Sequence, residues 1–349
     1  MTTTNHFDRN AAFSITMESE VGGAIQKMIS IGDELLLFSE NRVSKILTAD
    51  TIDPDQSDQT TRHSYQDIYQ VGSASPVVAR TILQAEELLG SVHLREATSN
   101  ERLLTIAWEA TQHLLNCEAA QHAIYRDVLE LASKCDALVE SHKALGSIPS
   151  LPQVEDLEGR VTMFLGSAKR CAERIHRLLG ECFGTPNLRE NFQSYREWVR
   201  ANRPELEDLL CLLEIDALWL KQLADARNAL DVNHSRDGYR VYTKNFSLAP
   251  GNKFSAPSWK FDLRARGGTQ QVDFSDIVLD MNTYLGNLCG FVEDMIVLCI
   301  RDTASNAFPY HFFRKDDKTS DNEIPTRFGV TVSLEKMRGI STREARSNQ

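Results

Sequence analysis

The stretch ADARNALDVNHSRDGYR, residues 224–240, decides how the chain reads on either side of it. It carries an arginine (Arg227), a polar neighbour (Asn228) and a histidine (His234) seven positions after the arginine. Upstream the pattern is that of a helical scaffold. Downstream come a basic, aromatic segment with strand periodicity and one more long apolar helix.

The helix entering this stretch starts near Pro204, with Glu205, Glu207 and Asp208 in its first turn, where carboxylates favour the positive helix end. Leu206, Leu209, Leu213, Leu220, Leu223 and Leu230 keep three- and four-residue spacing, and Asp216 and Arg227 fall on the same seam. A cation there is costly unless it is paired, at an interface or beside a cleft. Two readings stand for Arg227: a functional cation, or a side chain snorkelling at a helix C-terminus that favours positive charge anyway. His234 likewise reads as a site residue or as a turn histidine bonded to backbone. The helix yields by Asp231-Val232-Asn233, whose residue types favour caps and turns.

Working back toward the N-terminus, NLRENFQSYREWVRAN (187–202), a helix over about 154–179, and the amphipathic run 98–145 (one long helix or two) are separated by breaks such as GSIPSLP. In SASPVVARTILQAEELLG, Ser75 is placed to N-cap and Pro76 suits the first helical position. Residues 24–50 read as three short strands, IQKMISI, ELLLFS and RVSKIL, in a small antiparallel sheet. DTIDPDQSDQTTRHSYQD reads as a solvated acidic linker. Its Asp53, Asp55 and Asp58 lack the glycine and distal glutamate of a calcium loop.

Working forward, residues 238–274 read as a two-stranded hairpin insertion. In SWKFDLRAR, Trp259, Phe261, Leu263 and Ala265 alternate with Lys260, Asp262, Arg264 and Arg266, giving one apolar and one mostly basic face. Between His234 and Gln271 seven cations (Arg236, Arg240, Lys244, Lys253, Lys260, Arg264, Arg266) face two acids (Asp237, Asp262), so the segment is +5 within a chain of net charge −11. Cations tracking phosphate and aromatics stacking on bases hold single strands; the competing reading packs the aromatics onto the helices and leaves the lysines for solubility. Ser275 is expected to cap a last helix running to about Arg301, followed by a partly ordered tail that adds a strand.

The acidic total argues against sequence-blind coating of nucleic acid. Seven scattered cysteines with no Cys-x-x-Cys read as reduced thiols rather than a zinc site or disulfide framework, and no metal or cofactor is expected. FVEDMIVLCI, 291–300, is broken by Glu293 and Asp294, so no membrane span is expected, and MTTTNHFDRN does not read as a signal peptide. A cytoplasmic protein is the expectation. Glycine-rich phosphate loops, G-x-S-x-G and H-E-x-x-H are absent from the sequence.

Arg227, Asn228 and His234, with six residues between arginine and histidine, resemble the motif of the HEPN (higher eukaryotes and prokaryotes nucleotide-binding) family, an arginine with a polar neighbour and a histidine after four to six residues. The likeness covers the general layout of residues 73–305. Arg170 and His176, with five residues between them and Cys171 as neighbour, also fall within that range, inside what reads as uninterrupted helix. The resemblance implies a mainly α HEPN-like helical bundle with a small N-terminal β element and a β-hairpin insertion before the last long helix. It divides the chain at 1–72, 73–305 and 306–349. It implies a metal-independent endoribonuclease, of toxin or antiviral-defence type, that leaves a 2′,3′-cyclic phosphate. Arg227, Asn228 and His234 would be catalytic, and Arg236, Arg240, Lys244, Trp259, Lys260, Arg264 and Arg266 would bind RNA. The implied partners are RNA, a second copy and an antitoxin or regulatory protein. The competing implication is a non-catalytic module that binds nucleotides or protein within a larger assembly. Tyr239 lies near the motif, but its spacing from His234 departs from that of HEPN toxins silenced by modification.

Overall fold

Alternation and turn chemistry build the first element. IQKMISI (β1, Ile25–Ile31), ELLLFS (β2, Glu34–Ser39) and VSKIL (β3, Val43–Leu47) pair antiparallel in sequence order, with Gly32 at positive φ in the β1–β2 turn. A fourth strand, β4 (Ser64–Tyr69), pairs with β3 and comes out of the segment expected to be a solvated linker. The aspartates before it organise turns. Asp53 accepts from the backbone N–H groups of Ser57 and Asp58, and Asp58 accepts from that of Thr60. No cluster suited to a metal occurs among the described residues. After β4 the chain crosses the β2–β3 turn at Gly72, where a Cβ would lie 2.1 Å from the Ser39 carbonyl oxygen, so only glycine fits.

The computed structural model describes residues 22–145, 150–186, 188, 192–230, 240–250, 253–265, 268–315 and 324–332. It divides into two compact units, one of Met1–Trp108 with Thr303–Gln349, the other of Glu109–Asp302. The divisions between the units fall at residues 108/109 and 302/303.

In the first unit the side chains of Leu36, Leu37 and Phe38 are fully buried, and Trp108 meets Phe38 and Tyr69 edge-on at 5.9 and 6.1 Å. Helix α1 (Ala49–Ile52) lies between β3 and β4. A further helix opens as α2 (Pro76–Val78), capped by the Ser75 hydroxyl as expected, widens into a π-turn over Ala79–Leu83, and closes as α3 (Gln84–Ser91). The C-terminal segment supplies a two-stranded sheet, β10 (Tyr310–Arg314) with β11 (Phe328–Val332). Gln84, fully buried, binds it: its Oε1 accepts from the Arg327 and Phe328 N–H groups and its Nε2 donates to the Phe328 carbonyl.

The second unit is built on helices. The run 98–145 is one continuous helix, α4 (Asn100–Leu145). Helix α5 (Leu157–Ile175) buries Val161, Phe164, Leu165, Ala168, Cys171, Ala172 and Ile175 at three- and four-residue spacing. It runs against α4, where Arg160 pairs with Asp127 at 2.5 Å. The chain then breaks at His176 before α6 (Arg177–Phe183), so the second Arg–His spacing does not lie in uninterrupted helix. Helices α7 (Phe192–Asn202), α8 (Glu207–Asn228) and α9 (Ile277–Thr303) complete the set. His176, buried between Tyr195 and Phe291, has its pKa pushed down to about 4 because burial disfavours the imidazolium.

Between α8 and α9 the described residues form five strands in two sheets where one hairpin was expected: β5 (Arg240–Lys244), β8 (Ser258–Ala265) and β9 (Gly268–Asp276) in the order β5-β8-β9, and β6 (Ser247–Ala249) with β7 (Lys253–Ser255). The expectation of a mainly α bundle is therefore wrong. Among the described residues 54% are helix and 21% strand, with four small antiparallel sheets. A linker, an insertion and a tail each supplied paired strands, because polar edge strands carry weak period-2 signals.

Helix α9 is long and apolar enough, by length and composition only, to cross a bilayer, and 61% of its apolar 18-residue window is buried.

Candidate nucleic-acid interface

Helix α8 buries Leu209, Leu213, Leu220, Leu223 and Ala226. The buried line advances through Ala226 and Ala229, which leaves Arg227 and Asn228 half-buried beside it in the last turn. Asp216 is also off the core, and its carboxyl accepts from Trp219 Nε1 at 2.7 Å. Burial raises the pKa of Asp216, against the lowering effect of that bond. Asn228 is held from α5: its Oδ1 accepts from Lys169 Nζ at 3.1 Å, and Lys169 also pairs with Glu173 at 3.2 Å. Thus the structure brings Arg227 and Asn228 to a helix end beside a Lys–Glu pair. His234 and Arg236 lie outside the described residues, as do Tyr239 and Arg266.

The strands after the motif sort their side chains by face. Trp259 and Phe261 of β8 point inward and are buried, with the Trp259 ring 6.5 Å from Phe164 of α5 and 6.4 Å from Tyr284 of α9. Trp259 Nε1 donates to Asp280 Oδ2 at 2.7 Å, and the Ser275 hydroxyl donates to the same oxygen. Trp259 was expected on the RNA-binding surface. That assignment is wrong here, since an indole with no exposed surface and a committed N–H has no face left for a base. Nor is Ser275 a helix cap. Asp276 accepts from the Leu279 N–H at 2.9 Å and takes that role for α9.

The outward face carries a different aromatic set. Tyr242 of β5 lies opposite Lys260 of β8. The Lys260 ammonium stands 4.7 Å from the centre of the Tyr242 ring and 5.5 Å from that of Phe274. The β8–β9 ladder shifts register between Trp259 and Phe261, setting two residues, Asp273 and Phe274, opposite the single Lys260. Half of Phe274 stays exposed. Arg240 and Lys244 are exposed at the two ends of β5, and Arg264 belongs to β8 by its backbone. Across the sheet, then, runs a strip of aromatic, cation and aromatic, flanked by further cations.

Phe274 was missed in the sequence because it precedes Ser275 and Asp276, where the pattern reads as a helix start. The alternation of Trp259 with Lys260 was itself visible. What the sequence left open was which aromatics faced outward. No protein-family model matches the chain, and no curated protein or solved structure matches it significantly.

Proposed function

We propose that this protein binds single-stranded RNA across the outward face of β5-β8-β9 and cleaves it without metal at Arg227, Asn228 and His234. The observation that carries the binding half is the Lys260 ammonium held between Tyr242 and the half-exposed Phe274. Rings present π-faces to bases whatever the sequence, and cations beside them take the phosphates. The cleavage half rests on residue chemistry and on the motif's resemblance to HEPN nucleases. A histidine near neutral pKa removes the 2′-hydroxyl proton, the 2′-oxygen attacks phosphorus, and the 5′-oxygen leaves with a proton returned to it. Arginine binds the phosphate through two parallel hydrogen bonds and stabilises the added charge. The products are a 2′,3′-cyclic phosphate and a 5′-hydroxyl.

One observation favours a second reading, binding without cleavage. Asn228, which would orient a reacting group, is already engaged by Lys169. The test combines fluorescence-anisotropy binding of a 20-nucleotide RNA with cleavage of an RNA pool in EDTA, using wild type, Phe274→Ala, Tyr242→Ala and His234→Ala. Loss of one stacking ring, at about 1–3 kcal/mol per base, weakens binding by about 5- to 150-fold. His234→Ala binds normally and loses cleavage. Binding with no cleavage by wild type selects the second reading, and no effect of either ring substitution on binding overturns the proposed interface.

A further inference from the structure

On the α4 and α5 side of the second unit, three arginines meet a histidine and one carboxylate. Arg174 Nε and Arg177 Nη1 lie 3.4 and 3.3 Å from Glu109 Oε2, and Arg170 is exposed one helical turn before Arg174. His113 of α4, four residues after Glu109 and so on the same face, completes the group. Burial lowers the His113 pKa, the positive charges of Arg174 and Arg170 lower it further, and Glu109 opposes them. With that imidazole neutral, three guanidiniums against one carboxylate leave +2 on a chain of net charge −11.

Two features separate this group from an ordinary solvated helix face. The Arg–Glu contacts are single and at the long end of hydrogen-bond range, and exposed pairs of this kind contribute about 0–1 kcal/mol, so an incoming anion displaces them at little cost. A phosphate offers each guanidinium the two-point contact that Glu109 does not. Arg170 and Arg174 stand one turn apart on α5 and Arg177 opens α6 just past the break at His176, a spread of cations that suits a run of phosphates better than one compact anion. Arg170 lies six residues, or about 9 Å of rise, beyond Phe164, whose ring contacts Trp259 beneath the aromatic sheet.

We infer that Arg170, Arg174 and Arg177, with His113 as a neutral hydrogen-bond donor, form a phosphate track for the backbone of a bound RNA strand. This inference rests on the RNA reading above. The track reads phosphates alone, so it adds affinity without sequence preference.

The experiment is a salt titration of binding, with the same RNA, for wild type, the Arg170→Gln/Arg177→Gln double variant and Phe274→Ala, each checked by circular dichroism. Both arginines are exposed, and their loss leaves the core intact. The expected result is a slope of log affinity against log salt shallower by about 1.4 in the double variant, at about 0.7 for each single-strand phosphate that is no longer neutralised. Phe274→Ala keeps the wild-type slope and weakens binding. A double variant with the wild-type slope overturns the track while leaving the aromatic interface standing. A slope change with no effect of Phe274→Ala overturns the interface and keeps the track. No RNA binding by wild type overturns both.

Discussion

The assignment of Trp259 to the interior makes a quantitative prediction through Asp280. Replacing Asp280 by Ala leaves the Trp259 N–H buried without the acceptor it has at 2.7 Å. A stranded buried donor costs about 1–3 kcal/mol. Trp259→Phe removes the donor instead, and Asp280 keeps the Ser275 hydroxyl. In the double variant the indole donor is gone, and the Ser275 hydroxyl loses its acceptor just as it does in Asp280→Ala alone, so the loss of stability falls short of the sum of the singles by the Trp259–Asp280 bond. The shortfall is about 1.5–3 kcal/mol, the worth of a hydrogen bond to a charged group. The assay is urea unfolding followed by far-ultraviolet circular dichroism, with the midpoint shifting at constant slope. For a unit the size of Glu109–Asp302, each kcal/mol also lowers the melting temperature by about 2–4 °C. Asp280→Ala within about 0.5 kcal/mol of wild type, or an additive cycle, refutes the reasoning. So does Trp259→Phe losing RNA affinity at unchanged stability, since that is the behaviour of a stacking residue.

Two further outcomes concern stability. Gln84→Ala removes three hydrogen bonds to the backbone of Arg327 and Phe328 at the start of β11 and is expected to cost about 3 kcal/mol at about 1 kcal/mol each, with faster amide exchange at Phe328. Unchanged exchange at Phe328 would show that Gln84 does not secure the strand. His176 titrates near 4 folded against about 6.5 unfolded, so the unfolded chain binds the proton first as pH falls. Its contribution is present above pH 6.5 and is lost progressively toward pH 4, about 3 kcal/mol in all. His176→Phe, which keeps a ring between Tyr195 and Phe291, is expected to flatten stability over that window, and an unaltered pH profile refutes it.

Much of the architecture is legible wherever burial is one-sided and long. The α8 seam, the Ser75 cap and the first three strands all follow from periodicity and cap chemistry. What escaped reading has physical causes. In β4, SYQDIY has exposed or half-buried positions throughout, so no alternation marks it. Tyr310–Arg314 and Phe328–Val332 are far enough apart that nothing local announces their pairing. At the proposed site the types Arg, Asn and Lys were readable, but the Lys169–Asn228 contact joins residues 59 apart and belongs to tertiary packing. The register shift in β8–β9 was equally out of reach, since it depends on the partner strand.

The π-turn over Ala79–Leu83 has its own consequence for the first unit. The Gln84 N–H reaches back to the Ala79 carbonyl, five residues away, so this turn holds one residue more than a regular α-turn. Each residue of an α-helix advances the face by about 100°. The surplus residue therefore sets the phase of everything from Gln84 to Ser91. Deleting one residue within 79–83 restores an even ladder but turns that end of the helix by about 100°, swinging the amide of Gln84 away from the strand it grips. The helix is thus indexed like a key, and a change that leaves its length nearly intact and its composition almost unaltered would release the C-terminal strands.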